Sequence, residues 1–99
     1  MQTIIQFVQT KHKDRTKEIT LRKMNKLAEK YSWIIRAEDF YKENNDTVDN
    51  KICEIRLSVP GPRIFAESKA STHKAALTET INDLEIQLKK KKGQMMAHV

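Results

Sequence analysis

Apolar positions along the chain repeat at two different spacings, and each switch between them marks the edge of an element. Thr3 to Val8, rich in Ile, Phe and Val, predicts a first strand. Polar residues 9–13 lead into a helix that starts near Asp14 or Thr16, either of which can cap it, and runs to about Tyr31. At about 100° per residue, Thr20, Leu21, Met24, Leu27, Ala28 and Tyr31 gather on one side as its core face. Trp33 to Lys42 predicts a second strand, with Trp33, Ile35, Ala37 and Tyr41 on one face and Asp39 out of place among them. Residues 43–50 have the composition of a turn. Lys51 to Val59 then alternates cleanly, Cys53, Ile55, Leu57 and Val59 pointing one way and Glu54, Arg56 and Ser58 the other. Pro60-Gly61-Pro62 turns the chain into a fourth strand, Arg63 to Ala70, with Ile64, Ala66 and Ser68 inward. Ser71 or Thr72 caps a last helix, in which Leu77, Ile81, Leu84 and Leu88 recur at spacings of 4, 3 and 4. Gly93 is the expected stop, leaving residues 94–99 as a disordered tail.

The order β-α-β-β-β-α predicts one α+β domain over residues 1–93. It should be a two-layer sandwich: a four-stranded sheet, its last three strands an antiparallel meander, with both helices on one face. Ninety-nine residues suffice for one modest core. The opening residues lack the basic stretch of a signal peptide, and no apolar run approaches the roughly 20 residues needed to span a bilayer. A single cysteine, Cys53, excludes an internal disulfide. A soluble, cytoplasmic protein with no membrane partner is the expectation.

Charge adds the first functional clue, because the net +6 is not evenly spread. Residues 1–36 hold nine Lys/Arg against three Asp/Glu, residues 37–70 hold five against seven, and residues 71–99 hold five against three. Such segregation points to a polyanionic partner. On the first helix Arg15, Arg22, Lys23, Lys26 and Lys30 fall within an arc of about 100°, a cationic stripe about 20 Å long. A stripe of that length can meet several phosphates at once, giving salt-dependent binding. Lys11, Lys13 and His12 extend the charge into the preceding loop, Lys74 adds a cation early in the second helix, and Lys89, Lys90, Lys91 and Lys92 close its far end. Four consecutive lysines point all around a helix and also suit the negative end of its dipole.

Other chemistry finds little support. His12, His73 and His98 have no partners at metal-ligand spacing, and His73 reads as a surface or cap residue. Cys53 alternates with apolar residues and reads as a buried, inert thiol. Only Gly61 and Gly93 are present, so no glycine-rich phosphate loop exists. Trp33, Tyr31, Phe40, Tyr41 and Phe65 could stack on bases, but no aromatic doublet sits on the middle strands. Glu38, Asp39 and Glu43 lack a nucleophile, metal or pocket, so no enzyme, cofactor or small-molecule substrate is expected.

Three stretches carry a family resemblance: residues 23–31 (KMNKLAEKY), residues 50–61 (NKICEIRLSVPG), and Ile64-Phe65-Ala66-Glu67 leading to Ala75-Ala76-Leu77. With the ending Asp83-Leu84-Glu85-Ile86-Gln87-Leu88 before the lysines, the chain resembles the ribosome hibernation-promoting factors, the sigma-54 modulation or S30-type family. The resemblance implies a fold like a double-stranded-RNA-binding domain with an added first strand. It implies binding to the small ribosomal subunit in the channel of mRNA and the A- and P-site tRNAs, which stops translation in starvation or stationary phase. By position it assigns Lys17, Lys23 and Lys26 and Lys89 to Lys92 to ribosomal RNA. Thr16 and Thr20 stand where the family has apolar residues, so a loosely packed first turn is expected, and residues 9–13 are more basic than the family pattern. Long members carry a second domain that pairs ribosomes; the chain resembles the short type, expected to be monomeric when free. A general double-stranded-RNA binder, or a regulator docking on an acidic protein, remains an open alternative.

Overall fold

The computed structural model describes residues 1–45 and 48–96; Asp46 and Thr47 of the expected turn, and residues 97–99 with His98, lie outside the described residues. The chain forms β1 (Gln2–Val8), α1 (Asp14–Lys30), β2 (Arg36–Glu43), β3 (Lys51–Ser58), β4 (Ile64–Ala70) and α2 (His73–Met96). The strands lie in one sheet in sequence order, β1 parallel to β2 and the other pairs antiparallel. The 17 residues of α1 rise about 25 Å, the length of a seven- or eight-residue strand. The helix therefore returns the chain to the end where β1 began, and β2 must run parallel to β1.

Both helices cover one face of the sheet. Met24 and Leu27 from α1 and Ala76, Leu77, Leu84 and Leu88 from α2 bury themselves against Ala37, Tyr41, Cys53, Ile55 and Leu57. The Leu77, Leu84 and Leu88 periodicity is thus the core stripe of α2, with Ile81 half-buried beside it. Thr72 caps α2, its Oγ1 accepting from the Ala75 N–H at 3.1 Å. The opposite sheet face stays open, carrying Glu38, Phe40, Arg56, Phe65 and Glu67.

Several expectations are corrected. β2 begins at Arg36 rather than Trp33, because the Ile34 N–H bonds back to the Tyr31 carbonyl at 3.1 Å and breaks the alternation. Ile34 is consequently buried and Ile35 lies 62% exposed. Neither Asp14 nor Thr16 caps α1; Lys13 occupies that position without a side-chain bond, and Asp14 is the first helical residue. There its charge still complements the positive end of the helix dipole. His73 is buried rather than superficial, Nε2 lying 3.0 Å from the Lys42 carbonyl oxygen and the ring edge-on to Tyr41. Thr20 does not loosen α1. Fully buried, it donates to the Thr16 carbonyl at 2.7 Å, so the Tyr41 hydroxyl donates to Thr20 Oγ1.

The last helix also outruns its expected stop. It passes through Gly93 to Met96, so residues 94–96 are helix and not tail. A glycine ends a helix by adopting a left-handed turn. Gly61, at φ +90°, has a left-handed backbone and Gly93 does not. A helical glycine costs only about 1 kcal/mol relative to alanine, too little to break a helix anchored by Leu84 and Leu88. Among the described residues nothing lies within 4 Å of a Cβ built on Gly93. Gly93→Ala should therefore strengthen the last turns by about 1 kcal/mol, read as slower amide exchange at Gln94–Met96 with unchanged folding of the sheet.

Candidate nucleic-acid interface

Side by side over the sheet, α1 and α2 run in the same direction. Arg15, Arg22, Lys23 and Lys26 of α1 share a hollow of about 630 Å³ with Lys74, one residue into α2. Further along, Lys23, Lys26 and Lys30 share a second hollow of about 210 Å³ with Ile81, Asn82 and Glu85. The two form one continuous groove between the helices. The reason is local: the stripe on α1 flanks the apolar face that Leu27 and Met24 bury, so packing the helix aims the stripe at its neighbour.

Of the residues expected to bind RNA, Arg15, Arg22, Lys23, Lys26 and Lys74 come together here. Among the described residues none of the five is in a salt bridge. Asp14 and Glu18 line the same hollow, and Asp14 lies 3.4 Å from His12. Lys30 differs, because its Nζ sits 2.9 Å from Glu85 Oε2 and this hydrogen bond raises its pKa above the ordinary lysine value. It is a clasp between the helices more than a free cation. Sequence reasoning missed this role, although Glu85 falls on the same side of α2 as Lys74 at about 100° per residue.

The remaining candidates lie apart. Lys11, Lys13 and Lys17 are exposed around the entry to α1 and do not line the groove. Lys89 to Lys92 sit on the part of α2 beyond the Lys30–Glu85 clasp. They are not its final turn, so the dipole argument does not explain them.

Elsewhere the chemistry is quiet. Burial pushes the Cys53 thiol up to about 12, and burial likewise holds the Tyr41 phenol protonated. Lys51 and Thr10, bonded to Glu43, keep that carboxylate below its ordinary pKa. On the open face, Glu54 is held between Lys42 at 3.3 Å and Arg56 at 3.2 Å. Among the described residues no group of three His, Cys, Asp or Glu stands where it could hold a metal ion. No described helix is long and apolar enough to cross a membrane.

Comparison with known proteins decides the affiliation. A sequence profile of the sigma 54 modulation protein / S30EA ribosomal protein family matches residues 3–96. The chain belongs to this family. No curated protein sequence matches it. Its fold is that of a ribosomal subunit interface protein from Coxiella burnetii, at 19% identity and a TM-score of 0.84 over 94% of this chain and 99% of that one. The Protein Y N-terminal domain of Thermus thermophilus is similar at 18% identity and a TM-score of 0.77, over 91% of this chain and 98% of that one. The expected β-α-β-β-β-α order of the S30-type fold is therefore observed.

Proposed function

We propose that this S30-type protein binds the small ribosomal subunit through the α1–α2 groove and the lysine-bearing end of α2. In this reading it occupies the path of mRNA and of the A- and P-site tRNAs, and so withholds ribosomes from translation under stress or in stationary phase. The mechanism is occupancy and not catalysis: phosphates of ribosomal RNA enter the groove, release their counterions, and are held without being read for sequence. The observation that carries the proposal is the grouping of Arg15, Arg22, Lys23, Lys26 and Lys74 in one concave strip, none paired with a carboxylate among the described residues. With Asp14 and Glu18 as the hollow's only carboxylates among the described residues, the five cations keep a net positive field that a polyanion relieves. Family membership, and a structural neighbour described as a ribosomal subunit interface protein, support ribosomal RNA as the class of RNA. The free protein is taken to be a cytoplasmic monomer.

Sedimentation with purified small and large subunits tests the reading directly. The protein should travel with the small subunit at low salt, leave it at high salt, and be excluded when mRNA and tRNA are bound first. If it remains at the top of the low-salt gradient, the proposal is wrong. Equal affinity for subunits and free RNA duplex would favour a general double-stranded-RNA binder instead.

A further inference from the structure

The helix through Gly93 gives the four lysines definite directions, and these divide the run. At about 100° per residue, Lys89 and Lys92 fall on the flank of α2 that carries Lys74 and Glu85, facing α1. Lys90 and Lys91 fall across the Leu77–Leu84–Leu88 stripe, on the flank facing β4. There they meet Arg63, which the β3–β4 turn presents, around a hollow of about 350 Å³ that Gln87 and Gln94 also line.

We propose that Arg63, Lys90 and Lys91 form a second phosphate-binding site, which holds an RNA segment other than the one in the α1–α2 groove. The inference rests on the RNA-binding reading of the groove and adds a second point of attachment to it. No carboxylate lines this hollow, and none of its three cations is in a salt bridge among the described residues. The site is also shaped and not merely charged. Lys91 is half-buried, and its Nζ lies 3.0 Å from where a Cβ on Gly61 would be, so the left-handed glycine of the turn leaves room for the ammonium. Gln87 Nε2 donates to the Phe65 carbonyl at 2.9 Å, which ties this part of α2 to β4 and fixes the wall of the hollow. Because α2 stands between the two cation clusters, a single phosphate strand in the groove does not reach Arg63. The protein would grip two RNA segments, one on each flank of its last helix.

Binding of a short RNA duplex at low salt, followed by native mass spectrometry, tests this without ribosomes. The native chain should take up two duplexes. A variant carrying R63Q, K90Q and K91Q should take up one, with the salt dependence of the unaltered groove. In a groove variant carrying R22E, K23E and K26E, a single bound duplex should still protect Lys90 and Lys91 from acylation. Uptake of one duplex or none by the native chain overturns the proposal, as does free acylation of Lys90 and Lys91 in the loaded groove variant. The two readings fail separately. A chain that binds two duplexes but not small subunits loses the ribosomal role and keeps the second site; one that sediments with subunits yet binds one duplex loses only the second site.

Discussion

Asp39→Val is expected to stabilise the protein at about pH 8 by up to about 4 kcal/mol and to abolish most of its pH dependence between about pH 4 and 7. Asp39 is fully buried on the core face of β2, between Ala37 and Tyr41 and opposite Ile5 and Ile55 on the neighbouring strands. Among the described residues neither carboxylate oxygen has a hydrogen-bond partner. Burial raises its pKa from 3.8 to about 7, and no cation among the described residues offsets it. The two cations of the same strand are engaged elsewhere, Arg36 with Glu38 and Lys42 with Glu54. Tyr41 and Cys53 feel the Asp39 charge and are themselves held protonated.

Between about pH 4 and 7 the folded chain keeps a proton that the unfolded chain has released. The stability associated with that proton is complete below about pH 4, falls by about 1.4 kcal/mol per pH unit, and is gone above about pH 7. Asp39→Asn should flatten the same window but gain less, since a buried amide without partners still costs about 1–3 kcal/mol. Glu43, whose pKa is lowered, pulls in the opposite direction at acid pH. The comparison is therefore native against variant, by urea unfolding at several pH values. Parallel curves for the native and Asn proteins would sink the argument.

Asp39 also shows where the sequence was legible and where it was not. Alternation located β3 and β4, and the four-three-four spacing of Leu77, Ile81, Leu84 and Leu88 located the face of α2, because a one-sided element must keep one period. The same rule put Asp39 on the core face, and only its polarity made it look misplaced. Pattern says which way a side chain points, not whether the surroundings satisfy it. Thr20 illustrates the converse: a polar residue on an apolar stripe finds Tyr41, a partner 21 residues away that no local signal announces. Gly93 was ambiguous because its role depends on backbone handedness, which residue type permits but does not decide.

The candidate interface was legible in part for the same reason. Helical spacing alone collects Arg15, Arg22, Lys23, Lys26 and Lys30 on one side of α1. It does not say that α2 lies alongside, so neither the concavity nor the removal of Lys30 by Glu85 could be read from α1. The lysine run looked uniform because direction around a helix has meaning only where the helix is known to persist.

That distinction between placed and merely abundant charge leads to the largest expected functional effect. If the protein binds the small subunit as proposed, reversing Arg22, Lys23 and Lys26 to glutamate should weaken that binding by about a thousandfold at moderate salt. Three lost phosphate contacts should make the slope of log K on log salt shallower by about 2 to 3, and three new anions facing RNA add repulsion beyond that loss. Reversing Lys11, Lys13 and Lys17 alters net charge by the same amount, but these side chains lie outside the groove. If groove geometry governs binding, that second variant should lose about tenfold or less, by weakened long-range attraction. Arg22 and Lys26 are exposed and Lys23 half-buried, so both proteins should unfold within about 1 kcal/mol of the native chain. Binding measured across a salt series separates the cases. Equal losses in the two variants would mean that net charge, and not the α1–α2 groove, attracts the ribosome. A deep loss confined to the groove variant would mean that the five cations gathered there act as one surface.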